Sequence, residues 1–319
     1  VGLAEGRSLV VAQYRNAAGE WHDIEIFARE DYARDPAKDE QGNQINIVYP
    51  SQGDWPPGER EILIERNSLR LTDTELGQSI LIETNLGDQR RVPITGLAHD
   101  MNQPPAQITG VPYGYVTRDT MEWLGLNPNF NQLQVVVAED RYDKAHITQV
   151  AQEIADKLER SGITVRWIEV PNPGEHFVME FLPTIVLILS FLGILALILS
   201  GFLVINVITA ILTQQTRQIG VMKSIGGQPM QIAGIYLRLV IALGILALVM
   251  AVPLGALGAY AFSRFIAGQL NFDLTQWTLS TPVLAVEIVV GLLVPIVAGI
   301  FPISRSARMT VREALQDQG

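Results

Sequence analysis

The chain has 319 residues, 48% of them hydrophobic and 18% charged, with 33 acids, 23 bases and a formal net charge of −10. The acid excess argues against nucleic-acid binding, which needs a basic face to displace counterions from phosphates. With no cysteine, the chain cannot build a disulfide scaffold, a Cys-ligated zinc site or a thiol nucleophile.

The average hides a split near residue 181. Residues 1–181 hold 29 acids and 16 bases, whereas residues 182–319 hold 4 acids and 7 bases. An acidic soluble domain is followed by an apolar half with a few positive charges, which excludes a simple cytosolic enzyme. The chain opens at Val1, with no initiator Met and no basic stretch leading into a short apolar one. The expectation is a piece of a longer polypeptide.

In chain order, Ser8–Arg15 and His22–Ala28 read as strands joined by a turn at Asn16–Glu20. Ile45–Tyr49 reads as another short strand, and Asp54-Trp-Pro-Pro-Gly58 as a stiff loop, because proline fixes φ and restricts its predecessor. Glu61–Glu65 and Ser79–Thr84 alternate apolar and polar residues as half-buried strands do. Asn85-Leu-Gly-Asp88 is a turn, and Arg91–Gly96 returns as a strand. Gln132–Ala138 predicts a strand. Ile147, Val150, Ile154 and Leu158 share one helical face, which Gly162 closes, and Thr164–Val170 predicts a second strand. That pattern is a strand–helix–strand unit packed on a sheet.

This half carries little chemistry. His22, His99, His146 and His176 lack a second ligand at metal-binding spacing, apart from the adjacent His99-Asp100. Neighbours on a strand point to opposite faces, so that pair is a poor chelate. No Gly-x-Ser-x-Gly elbow is present.

From Glu180 to Arg217 no charged residue occurs, and Leu182–Leu212 is almost wholly apolar. Further apolar runs cover about 239–262 and 283–303, the last with Glu287 as its one charge. A bilayer core of about 30 Å needs about 20 helical residues, so all three runs predict spans. Arg217, Lys223 and Arg238 lie in loop 213–238, and Arg305, Arg308 and Arg312 in the C-terminal tail. Basic loops stay in the cytoplasm. The first domain is therefore expected outside and the C-terminus inside. Ala247, Ala251, Gly255 and Ala259 recur every four residues in the second run, a stripe that lets another helix approach, and Pro253 within it predicts a kink. An acid such as Glu287 about six residues into a span snorkels or pairs with Arg264 in the plainer reading, and serves a proton- or substrate-linked polar site in the other.

Loop 213–238 contains Arg217-Gln-Ile-Gly-Val-Met-Lys-Ser-Ile-Gly226-Gly227. Ile219, Met222 and Ile225 recur every three residues, as in a short amphipathic helix, flanked by Arg217 and Lys223. Gly226-Gly227 ends it and Pro229 blocks its continuation. A helix this short lies on a membrane or presses into a partner's groove. The chain has no Gly-x-x-x-x-Gly-Lys-Ser/Thr phosphate loop, so nothing supports ATP hydrolysis within it.

This segment after a long span resembles the coupling region of FtsX-like ABC transporter permeases. Pro302-Ile-Ser-Arg305-Ser-Ala307 followed by Val311-Arg-Glu-Ala-Leu315 resembles the end of the same module. Residues 1–180, with Glu61-Ile-Leu-Ile-Glu65, Gly77 and Ile94-Thr-Gly96, are similar to the extracytoplasmic core of macrolide-exporter-like permeases. The family often has an acid where Gln218 stands and Pro where Val311 stands.

The resemblance implies an α+β extracytoplasmic domain over 1–180 and an all-α three-helix transmembrane module over 181–319. It implies a non-catalytic permease of the mechanotransmission type in the plasma or inner membrane, moving a lipid, lipoprotein, peptide or drug. It also implies a cytoplasmic ABC ATPase dimer that binds the ATP, the chain itself holding no cofactor and no metal. Arg217, Gln218, Ile219, Gly220, Met222, Lys223, Gly226 and Gly227 are then the ATPase-coupling positions, with Val311–Leu315 near the same partner. A second permease module, membrane lipids and an extracytoplasmic adaptor are the other partners to expect. The family has four spans, so a first span is expected upstream. The alternative is an FtsX-like regulator that passes the ATPase's motion to a cell-wall hydrolase or signalling partner.

Overall fold

The computed structural model describes residues 1–29, 45–84 and 87–310. Leu86 and Asn85 of the predicted turn, and the tail Val311–Leu315, lie outside the described residues. The chain divides into two compact units. One comprises Val1–Glu180 with Ile266–Asp273, and the other Phe181–Phe265 with Leu274 onward.

The first unit is built on an eight-stranded sheet. Its strands are β1 (Leu3–Arg15), β2 (Trp21–Ala28), β3 (Val48–Gly53), β4 (Ile62–Glu65), β5 (Ser79–Glu83), β6 (Gln89–Asp100), β7 (Tyr113–Val116) and β8 (Gln132–Val136). β1 and β2 form an antiparallel hairpin from Ser8↔Ala28 to Arg15↔Trp21, closed by a turn in which Gly19 takes a φ of 87°. From β2 the ladder runs through β7, β4, β6 and β5 and returns to β1 at Gln13–Arg15. Six strands therefore close on themselves, and closure removes the exposed edges that open sheets must protect. The N-terminal half of β1 leaves the ring to pair with β8, Leu3↔Val136 to Arg7↔Gln132.

Alternation puts one set of residues inside the ring. Ala12, Tyr14, Ile24, Ile26, Ile62, Ile64, Ile80, Ile82, Val92 and Ile94 form one buried cluster, with Met121 and Leu124 from the region of helix α3 (Arg118–Trp123). The alternate residues Phe27, Leu63, Tyr113 and Tyr115 form a second cluster with Val48, Ala98 and Ala106. Phe27 stacks on Tyr115 at 5.5 Å and meets Tyr113 edge-on at 6.1 Å. Each fully buried side chain of this size contributes ~2 kcal/mol through removal from water. The buried Tyr115 hydroxyl donates to the Asp100 carboxylate, and Asn102 N donates to the same carboxylate at 2.7 Å.

Helices α1 (Leu69–Thr72) and α2 (Ala106–Thr109) are single turns. α4 spans Lys144–Arg160, capped by the Asp143 side chain accepting from Ala145 N. Gly162 follows it at φ 84°, and Gly162 N and Ile163 N donate back to Glu159 and Leu158 oxygens. The strand predicted over 164–170 does not form. The segment carries no ladder, and Ile163, Trp167 and Ile168 are exposed. A strand exists only where a neighbour supplies hydrogen bonds. β8 has β1 as its ladder partner, and the returning segment joins neither. The strand expected at 45–49 lies three residues later, where Val48↔Asp100 starts its pairing with β6.

The second unit is helical. α5 (Leu182–Gln214), α6 (Thr216–Ser224), α7 (Pro229–Gln269) and α8 (Thr281–Arg308) follow one another. α5, α7 and α8 are each long and apolar enough to cross a membrane, so this is a membrane protein. α7 starts at Pro229 rather than near 239. Proline suits the first helical turn, where its missing N–H is an orphan in any case, so Pro229 opens the next helix. α7 and α8 run on through Pro253, Pro295 and Pro302 as single helices.

Candidate functional site at the turn between the first and second spans

α5 ends at Gln214 and α6 starts at Thr216, so the single residue Gln215 makes the turn between them. What fixes this turn is a small core. Ile208 and Leu212 of α5, Ile219 of α6, Ile232, Tyr236 and Val240 of α7, and Ile303 and Ala307 of α8 are all buried together, with Met222 packed against them. All four helices of the unit thus meet at one end. The Tyr236 hydroxyl donates to Gln215 Oε1 at 2.8 Å, and Thr216 Oγ1 donates to Leu212 O at 3.1 Å. The Lys223 ammonium donates to the main-chain oxygen of Met309 and holds α6 against the end of α8.

α6 ends in a left-handed turn. Gly226 has a φ of 97°, its N–H donates to Lys223 O at 3.0 Å, and Gly227 N donates to Met222 O at 2.9 Å. These paired bonds satisfy the last carbonyls of the helix. A Cβ on Gly227 would lie 2.7 Å from Met222 O, so this position has no room for a side chain. Gln228 N then donates to Gln231 Oε1 at 3.1 Å and begins α7.

The predicted coupling residues separate into two sets. Ile219 and Gly220 are buried, and Met222 and Lys223 are half-buried in packing and anchoring contacts. Arg217 and Gln218 are exposed, as is Gly226. Also open in this segment are Val221, 51% exposed, Ile225, 82% exposed, and Met230, 84% exposed. Met230 and Tyr236 escaped the sequence reading, whereas Val221 fell inside the stretch Arg217 through Gly227 without being singled out. The signal for Val221 was present, since it lies four residues from Arg217 on the face opposite Ile219. The segment presents exposed apolar side chains and an exposed guanidinium, a combination that suits docking.

The stripe Ala247, Ala251, Gly255 and Ala259 is exposed along α7. Beside it, α7 meets α8 through other glycines: Cβ positions on Gly291 and Gly299 would lie 2.6 Å from a Leu248 methyl and 3.5 Å from Val240. Glu287 reaches across to the stripe, its Oε1 3.3 Å from where a Cβ on Gly255 would be. Among the described residues Glu287 makes no ion pair, with Arg264 or with any other base.

Comparison with known proteins finds a likeness in the second unit. Residues 190–311 match the model of the FtsX-like permease C-terminal domain, from inside α5 through α6 and α7 to just past α8. This part of the chain is similar to the FtsX-like permeases. It is also 24% identical over 210 residues to the ABC transporter permease YtrF of Bacillus subtilis (strain 168), an alignment covering 62% of this chain and 46% of that protein. The chain thus spans about half the length of this curated relative. The matched module contains the whole α6 turn, so the site described above lies in the part of the chain that carries the likeness.

Proposed function

We propose that this chain is the mechanical membrane subunit of an ABC transporter. A separate cytoplasmic ATPase docks on the exposed face of α6, and its closing motion is carried by the spans to the sheet domain on the extracytoplasmic side. ATP is bound and hydrolysed by that partner, and the permease holds no cofactor. The cargo class that the family resemblance suggests is hydrophobic, a lipid, lipoprotein, peptide or drug. A second permease module approaching the small-residue stripe of α7 completes the assembly.

The observation that carries this reading is the pairing of a fully exposed apolar knob with a buried anchor. Ile225 and Met230, like Arg217 and Gln218, are exposed, while Ile219 and Lys223 tie the same turn into all three spans. A partner pressing on the knob therefore moves a rigid body rather than a loop.

The test is co-purification of the full-length permease with candidate ABC ATPases. Wild type is expected to retain its ATPase, and Ile225→Asp and Met230→Asp to lose it by about tenfold or more, since central apolar anchors dominate docking. Retention by both variants would remove the docking face from this site. Absence of any ATPase from well-expressed wild type would overturn the transporter reading.

A further inference from the structure

Segment Ile266–Asp273 continues α7 along the chain but belongs by its contacts to the sheet domain. The helix is stopped by Asn271, a non-glycine residue at φ 63°, with Phe272 N donating back to Ala267 O at 2.8 Å. Asn271 is 2% exposed, and every polar group described for its side chain and carbonyl is held. Its Nδ2 donates to Asp100 O at 2.9 Å. Its Oδ1 accepts from Arg66 Nε at 2.6 Å, and its main-chain oxygen accepts from Arg66 Nη2 at 2.9 Å. His99 Nε2 lies 2.8 Å from that same oxygen, which can only accept, so His99 carries its proton there.

Arg66 spends its remaining donor on the Asp273 carboxylate, Nη1 lying 2.9 and 3.0 Å from the two oxygens. Asp273 Oδ2 is also 3.5 Å from His99 Nδ1. The guanidinium is aimed by its predecessor. The buried Glu65 carboxylate accepts from Asn67 N, Ser68 N and Ser68 Oγ at 2.9, 2.9 and 3.0 Å, and so fixes the turn that leaves β4. A planar fork with three directions satisfied on one short segment is a grip that a lysine could not reproduce.

We propose that Arg66, His99 and Asp100 form a force-transmitting clamp on Asn271, through which the far end of the second span drives the sheet domain. The clamp stays closed throughout the ATPase cycle, so Ile266–Asp273 moves as part of the sheet. In these terms Arg66 is a positioning residue. The idea rests on the mechanical reading of the permease, and adds a second attachment to the covalent junction at Glu180–Phe181.

The test uses the full-length permease assembled with its ATPase in lipid discs. These 319 residues hold no cysteine, so spin labels placed by Gln149→Cys on α4 and Thr213→Cys on α5 are the two within them, any cysteine elsewhere in the full-length permease being replaced by serine. Their separation is read without nucleotide and with ATP trapped. Arg66→Ala is expected to leave ATP hydrolysis intact and to shrink the ATP-dependent change in separation about threefold or more. In label-free protein it also speeds hydrogen exchange at amides 268–273 while the ring strands keep their protection. In a parallel series read by single-turnover transport or light scattering, Asn67→Cys and Gly268→Cys are bridged by a short bis-maleimide, since Asn67 Nδ2 lies 3.5 Å from Gly268 O and a Cβ at 268 meets nothing. The bridge is expected to restore coupling to Arg66→Ala and to leave wild type working.

A full distance change in Arg66→Ala, or unchanged exchange at 268–273, overturns the clamp while leaving the permease reading standing. A bridge that stops wild type shows that the clamp opens, and overturns its permanence. No ATP-dependent change in wild type, with exchange at 268–273 still responding to Arg66→Ala, overturns the mechanical reading itself.

Discussion

Ile219 of α6 is 2% exposed and Ile225, the residue that follows the helix, is 82% exposed, although both belong to one three-residue apolar recurrence. At about 100° per residue, two steps of three rotate the side chain by about 120° away from where it began. The recurrence therefore winds from the core to the open side, and only its last member is available to a partner. Ile219→Asp would place a carboxylate among Leu212, Ile232 and Ile303, at a cost of about 3 kcal/mol or more. It is expected to lower the thermal unfolding temperature and the yield of inserted protein, whereas Ile225→Asp leaves both unchanged and loses only ATPase binding. Equal unfolding temperatures for the two variants would contradict the buried assignment of Ile219. Glu65 offers a second residue-scale test. Burial raises its pKa above 4.5, opposed by the hydrogen bonds from Asn67 and Ser68. A carboxyl whose folded pKa is raised binds its proton more tightly when folded. Its contribution is then fully present below the unfolded value and is lost as pH rises through the folded one. Glu65→Gln should therefore flatten the pH dependence of unfolding in the window that opens near pH 4.5 and extends upward. The quantity to compare is the wild-type-minus-variant difference across that window, because the domain's other carboxylates titrate in both proteins. A difference that does not vary with pH would show that Glu65 is not the group responsible.

At the scale of elements, legibility followed how local the determining contacts are. The three spans were plain, because length and composition alone select a helix in lipid and no distant partner is needed. The hairpin of β1 and β2 and the helix α4 were nearly as plain, each set by its own period and its own glycine. Thr164–Val170 has the same alternation as β5, yet β5 has neighbours on both sides and 164–170 forms no ladder. Alternation states which faces a strand would have and does not supply a neighbour. The closure of the ring was invisible for a related reason. It depends on Gln13–Arg15 meeting Leu81–Glu83, about seventy residues away, and no local pattern encodes that register. Pro229 was read as a stop and serves as a start, since a proline that ends one helix is equally fitted to the first turn of the next. The clamp on Asn271 left a weaker trace still. Arg66, His99 and Asn271 are ordinary residues in the sequence, and their meaning comes from separations of 172 and 205 positions.

For the whole molecule, the split in charge carries a statement about the membrane that the fold alone does not make. Six of the seven bases after residue 181 lie at the α6 end of the spans or in the tail: Arg217, Lys223, Arg238, Arg305, Arg308 and Arg312. At the opposite end, Arg264 is the single base and Asp273 is committed to Arg66. Basic residues within about 15–20 positions of a span end are retained on the cytoplasmic side, and acids weigh little in that choice. The α6 turn is therefore expected in the cytoplasm, where the proposed ATPase could reach it, and the acidic sheet domain on the other side. Cysteine accessibility tests this directly, because the chain supplies no background thiol. Tyr142→Cys, at a residue 81% exposed in the sheet domain, should react with a membrane-impermeant maleimide on intact cells. Ile225→Cys, equally exposed, should react only after permeabilisation, with a contrast of at least about tenfold set by the barrier rather than by the thiol. In a bacterium with an outer membrane the same comparison is made on spheroplasts. Labelling of Ile225→Cys from outside would invert the topology and remove the docking site from any cytoplasmic partner, whatever the likeness to known permeases.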